Sequence, residues 1–132
     1  FFVTQEAAKR LKDNGRIIST SSIAVRLPLA AVAAYSMLKA PLDNLAKSLA
    51  DHLGGRGITV NVVAPGVIET DMSAAIVGNA DGRSFAEGKQ ALKRIGQPED
   101  VADVVKFLAG PDSRWVTGQV IEAGGGSGLT FA

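Results

Sequence analysis

The stretch ITVNVVAPG, residues 58–66, decides the fold. Its run Ile58–Val63 (ITVNVV) is rich in β-branched residues and reads as a strand. Ala64-Pro65-Gly66 ends it. Immediately upstream, from about Ala33 to Leu53, the apolar residues Ala34, Leu38, Leu42, Leu45, Leu49 and Leu53 recur at helical spacing, and Gly54-Gly55 closes that helix. Before it lies a shorter β-prone segment, Arg16–Thr20 (RIIST), followed by a loop that holds Arg26 and Pro28. The chain opens on FFVTQEAAKRL, which reads as a helix with Phe2, Val3, Ala7 and Leu11 near one face and a stop at Asn14-Gly15. Downstream, residues 71–96 are irregular, with short helical stretches expected. A clear helix follows Pro98, with Glu99 and Asp100 in its first turn and Val101, Val104, Val105 and Leu108 on one face. Gly110-Pro111 closes it, and Gln119–Ala123 reads as a last strand leading to the turn Gly124–Gly126.

Helix, strand, helix, strand, helix, strand is the order of an α/β protein with about three parallel strands. In such sheets, ligands bind beyond the carboxyl ends of the strands. The residues there are polar or conformationally special: Ser19 to Ser22 after the first strand and Pro65-Gly66 after the second.

Composition narrows the function classes. The 132 residues suit one small domain, 46% hydrophobic and 20% charged. Fourteen basic and thirteen acidic side chains are scattered, with no basic stripe for nucleic acid and no polybasic cluster for a membrane. No apolar run approaches the ~18 residues of a membrane span. There is no cysteine, and His52 is the single histidine, so no metal centre is expected; its place near a helix end reads as a surface residue. These features predict a cytoplasmic protein whose partners are small molecules or copies of itself. A helix already under way at Phe1 predicts that the sequence is a fragment.

Tyr35 and Lys39 are four apart on a helix and therefore share a face. A phenol is a poor base at neutral pH, and a nearby ammonium favours its ionised form. Ser22 follows a strand and lies 35 − 22 = 13 residues before Tyr35; its hydroxyl can donate to a substrate oxygen while Tyr35 moves a proton. Pro65-Gly66 follows 65 − 35 = 30 residues after Tyr35, and Gly66 lets a flat ring approach the backbone. Thr70 adds a hydroxyl. Each feature alone also has a plain structural explanation, as a solvated helix face or a strand-ending turn.

Taken together, GRIISTSS, AAYSMLKA, ITVNVVAPGVIETDM and GQPEDVADVVKFLAGPDSRWVTGQVIEAGGG resemble the short-chain dehydrogenase/reductases. The likeness is strongest to the single-domain branch that includes the ketoacyl-carrier-protein reductases. It implies that residues 1–132 are the C-terminal portion of one Rossmann-like, doubly wound domain whose nucleotide-binding half is absent. It further implies an NAD(P)-dependent oxidoreductase interconverting a ketone and a secondary alcohol, with NAD or NADP as cofactor and its choice not encoded here. By the resemblance, Ser22, Tyr35 and Lys39 are catalytic: Ser22 binds the substrate oxygen, Tyr35 is the acid/base, and Lys39 binds the nicotinamide ribose and favours the ionised tyrosine. Tyr35, Lys39, Pro65, Gly66, Ile68 and Thr70 bind cofactor, Ile68 through its backbone and Thr70 near the carboxamide. The family's remaining catalytic residue, an asparagine, falls upstream of Phe1. Partners implied are a small carbonyl or alcohol substrate and further copies in a homodimer or homotetramer.

Two other readings remain. The fragment could act only as a non-catalytic assembly piece, or the protein could be a relative turned to binding or regulation. Met37 and Leu38 stand where the family commonly has small residues near Tyr35, and Pro41 sits early in the helix, where it removes one backbone donor and is expected to kink it. Trp115 is expected to pack against the last strand. Ser73 to Arg94 is expected to form a lid over the substrate, with Ile76, Val77, Phe85 and Leu92 naming no substrate.

Overall fold

The computed structural model describes residues 1–27 and 30–129, so Pro28 lies outside the described residues. Helix α1 spans Phe2–Arg10, strand β1 Arg16–Thr20, helix α2 Ala33–Gly54 and strand β2 Thr59–Pro65. Two short helices, α3 (Ala74–Val77) and α4 (Ala80–Gly88), precede α5 (Pro98–Ala109) and strand β3 (Val120–Ala123). The strands form one parallel sheet in the order β1-β2-β3, with Arg16 opposite Thr59 and Val62 opposite Val120. The expected alternation and parallel pairing are therefore present.

Strand β2 is the middle of the sheet, and Thr59 to Ala64 are all buried. Because side chains alternate across a strand, Val60 and Val62 share one face, where they pack with Ala46, Ala50 and Leu53 of α2 and with Ile17 and Val120. Asn61 and Val63 point to the other face. Helix α5 packs across all three strands there, with Val101, Val104, Val105 and Leu108 inward as expected and Leu108 fully buried. Asn61, a polar residue in the middle strand, is satisfied: its amide donates to the Val116 carbonyl (2.8 Å) and accepts from the Gln119 amide (3.1 Å).

Four expectations are corrected. In α1 the inward positions are Thr4, Ala8 and Leu11, while Phe2 and Val3 are exposed. The smaller Ala8 allows the helix to sit close to the core, and the bulky side chains turn outward. The helix also stops at Leu11, where Arg56 donates to the Ala8 carbonyl (2.9 Å) and to the Leu11 carbonyl, satisfying groups the helix leaves unpaired. The left-handed residue beyond it is Asn14 (φ 64°), not Gly15. In α2, Ala34 and Leu38 are exposed, and the buried stripe is Ala46, Ala50 and Leu53; small residues bring this helix onto Val60 and Val62. Trp115 does not pack on β3 and is 96% exposed.

The start of α5 makes a pH prediction. Asp100 accepts from both terminal nitrogens of Arg94 (2.6 and 2.8 Å) and from the Gln97 backbone amide (2.7 Å). These donors, Arg94 first, hold its carboxyl well below the usual carboxylate range. A carboxyl depressed in the folded state contributes stability above its unfolded value near 4, and that contribution is lost as pH falls beneath it. In NMR titration of the carboxyl carbon, Asp100 is expected to stay ionised at pH values where ordinary aspartates protonate. A midpoint near 4 would contradict the cap.

Candidate active site

The three strand exits, after Thr20, Pro65 and Ala123, lie side by side because the strands are parallel and adjacent. At the first exit, the Ser21 amide donates to the Val63 carbonyl (2.8 Å), which extends the ladder one step. Ser22 then leaves in an extended conformation, and its hydroxyl oxygen accepts from the Ala24 amide (3.2 Å), capping a single 3₁₀ turn over Ile23–Val25. The turn is tied back to α2 by Ser36, whose hydroxyl donates to the Ala24 carbonyl (2.9 Å).

Tyr35 is the third residue of α2 and is 38% exposed. One turn on, the Lys39 ammonium donates to the Thr20 carbonyl (2.9 Å) and lies 5.8 Å from the centre of the Tyr35 ring. That distance is within reach of a cation–π attraction. The end of β1, its following turn and the first turns of α2 thus gather Ser22, Tyr35 and Lys39 at one strand exit. Thr20 and Ser36 do the gathering. Neither is marked by the sequence pattern, since one acts through a carbonyl and the other is an ordinary helix serine.

Pro65 is the last residue of β2, and the Gly66 amide donates to the Ala123 carbonyl (3.1 Å). A methyl group at Gly66 would stand 2.7 Å from the Gly124 Cα. The glycine is therefore required by the backbone of the next strand exit, a reason the sequence reading did not foresee. Beyond it, Ile68 pairs with Gly96 in an isolated parallel bridge, fixed by the Gly96 amide on the Val67 carbonyl (3.0 Å) and the Glu69 amide on the Gly96 carbonyl (2.8 Å). The buried Ser73 hydroxyl donates to the Ile68 carbonyl (2.6 Å) and accepts from the Thr70 amide (3.1 Å). Ser73 was not singled out from sequence, yet it holds Ile68 and Thr70 in place.

Thr70 is exposed at the edge of an open cavity of about 570 Å³, lined also by Glu69, Asp71, Val77, Asn79 and Arg83. Arg83 and Gln97 both donate to Glu69, and these bonds hold its carboxyl below the usual range. Ile68 and Thr70 thus occupy a separate strut after β2, whereas Ser22, Tyr35 and Lys39 cluster after β1. His52 is an exposed residue in the last turn of α2, as expected. Among the described residues, no three His, Asp or Glu side chains converge on a point that could hold a metal, and no helix is long and apolar enough to cross a membrane.

A family model described as enoyl-(acyl carrier protein) reductase matches residues 1–128. The 3-oxoacyl-[acyl-carrier-protein] reductase FabG of Vibrio cholerae serotype O1 is 38% identical over 115 residues, covering 87% of this chain and 46% of that protein. The chain belongs to the short-chain dehydrogenase/reductase family. Its sheet matches the Rossmann-like architecture of solved members. The crystal structure of the angucycline C-6 ketoreductase LanV with bound NADP superposes with a TM-score of 0.90 at 38% identity, covering 98% of this chain and 50% of that one. A further relative, the cyclic-di-GMP-binding biofilm dispersal mediator protein of Escherichia coli K12, is 43% identical over 119 residues, 89% of this chain and 49% of that protein. The chain spans about half the length of each of these relatives.

Proposed function

We propose that the protein carrying this chain is an NAD(P)-dependent oxidoreductase that interconverts a ketone and a secondary alcohol, with Tyr35 as its acid/base. The chain supplies the C-terminal portion of a single Rossmann-like domain. The observation that carries the reading is the position of the Lys39 ammonium, 2.9 Å from the Thr20 carbonyl and 5.8 Å from the Tyr35 ring, at the strand exit that also presents Ser22.

The residues fit the nicotinamide end of such a cofactor. An ammonium has three donors; with one on Thr20, two remain for ribose hydroxyls. In the bridge to Gly96 the Ile68 amide points away from its partner strand, which leaves it for a carboxamide, and the Thr70 hydroxyl is exposed beside it. Pro65 and Gly66 are the β2 exit that leads to Ile68. When bound, the cofactor supplies or accepts the hydride. The Ser22 oxygen accepts from Ala24, so its own proton is free to be donated to the substrate oxygen. The Tyr35 hydroxyl gives its proton to that oxygen during reduction and takes it back during oxidation. Lys39 stabilises the phenolate left behind.

A second reading, that the protein binds a nucleotide without turning over a carbonyl, is favoured by its 43% identity to a cyclic-di-GMP-binding protein. Titration separates the two. NADPH or NADH is expected to bind, and Lys39→Met to weaken that binding by about tenfold through lost ribose hydrogen bonds. Tight cyclic-di-GMP binding, indifferent to Lys39 and accompanied by no nicotinamide binding, would favour the second reading and overturn the first.

A further inference from the structure

Gly124, the first residue after β3, does not adopt a left-handed conformation, although Gly125, Gly126 and Gly128 beside it do (φ 60°, 74° and 79°). Backbone freedom therefore does not explain why it is glycine. Space does. A methyl group built there would stand 3.1 Å from Ile23 Cγ2 and 3.3 Å from the Gly66 amide nitrogen and Cα. Ile23 is buried, and it opens the 3₁₀ turn whose cap is the Ser22 hydroxyl.

The geometry points to Gly124 as a positioning residue for Ser22, acting through Ile23. This rests on the role given to Ser22 under the proposed function. The Ser22 oxygen is aimed by its bond to the Ala24 amide, so it moves with the turn. From α2 the turn is held by Ser36 on the Ala24 carbonyl, and from the sheet by Ile23 seated on Gly124. Lys39 and Tyr35 are anchored separately, through Thr20 and α2. A methyl at Gly124 displaces Ile23 by a few tenths of an ångström, because contacts at 3.1 Å are relieved only by such a shift. The shift moves Ser22 relative to Tyr35 while the cofactor contacts of Lys39 stay in place. Misplacement of a catalytic group on this scale lowers turnover by roughly tenfold.

The test is a double-mutant cycle in the protein carrying this chain, with NADPH and a reducible ketone. Gly124→Ala is expected to lower kcat by about tenfold and to leave the nicotinamide dissociation constant within about twofold. In a Ser22→Ala background the same substitution is expected to change kcat by less than about twofold, because the group it misplaces is already gone. Equal losses in both backgrounds, or no loss in either, would overturn the inference. Should Gly124→Ala fail to fold, Ile23→Ala loosens the same contact from the other side and is expected to show the same dependence on Ser22. Full turnover by Ser22→Ala alone would instead strike the proposed role of Ser22, which keeps the two failures apart.

Discussion

Tyr35→Phe is expected to remove nearly all cofactor-dependent carbonyl reduction, a fall of about 10²- to 10⁴-fold in kcat, the range that a positioned general acid contributes. The substitution deletes one hydroxyl and keeps the ring. The attraction between that ring and the Lys39 ammonium, 5.8 Å from its centre, survives, as does the Lys39 bond to the Thr20 carbonyl. With Tyr35 38% exposed at the start of α2, the loss of its hydroxyl leaves no buried group unpaired. Stability should therefore stay near wild type, and nicotinamide binding should weaken by far less than turnover. Parallel measurement of kcat, of the nicotinamide dissociation constant and of the denaturation midpoint checks this. A variant that reduces its ketone at the wild-type rate would sink the role of Tyr35.

The second large effect is on the sheet. Gly66→Ala places a methyl 2.7, 3.1 and 3.2 Å from the Cα, carbonyl oxygen and carbonyl carbon of Gly124, all backbone atoms that no rotamer change can move aside. The exits of β2 and β3 must separate, which strains the Gly66–Ala123 hydrogen bond and the pairing of Pro65 with Ala123. An overpacked core loses about 1–3 kcal/mol, and a backbone clash falls at the upper end. Gly54→Ala is the control. At the end of α2 an added Cβ meets nothing within 4 Å, so stability should hold or rise slightly, since alanine favours a helix over glycine. Denaturant unfolding of both variants decides the matter, and equal midpoints would rule out the close approach of Gly66 and Gly124 as a constraint on the sheet.

These effects show what was legible in the sequence. Strand β2 was readable from its β-branched run, and its two polar residues, Thr59 and Asn61, are buried with it, Asn61 finding partners at Val116 and Gln119. The inward face of α5 was readable because Val101, Val104, Val105 and Leu108 recur on one face and turn inward, while Phe107, off that face, stays exposed. The first halves of α1 and α2 misled, since Phe2, Val3 and Leu38 follow helical spacing yet face outward while Ala8, Ala46 and Ala50 carry the close contacts. Spacing reports which residues share a face; it does not report which face the neighbouring element reaches.

The site divides in the same way. Ser22, Tyr35 and Lys39 were legible from their spacing after a strand and along a helix. The groups that hold them were not. Thr20 and Ala24 act through carbonyls, Ser36 through a hydroxyl common on any surface, and Gly124 through room that only the folded neighbours define. Such roles arise from tertiary contacts between segments far apart in the chain, and no local pattern announces them.

The β1 exit and the start of α2 are proposed to form the proton-transfer part of a carbonyl reductase. The most direct test is a single-turnover experiment on the protein carrying this chain, preloaded with reduced nicotinamide and mixed with a panel of ketones. Reduced nicotinamide is expected to be consumed in step with alcohol formed, and Tyr35→Phe to hold the cofactor without consuming it. Stable binding of reduced nicotinamide with no consumption by any ketone, or equal consumption in the Tyr35→Phe variant, would contradict the proposal.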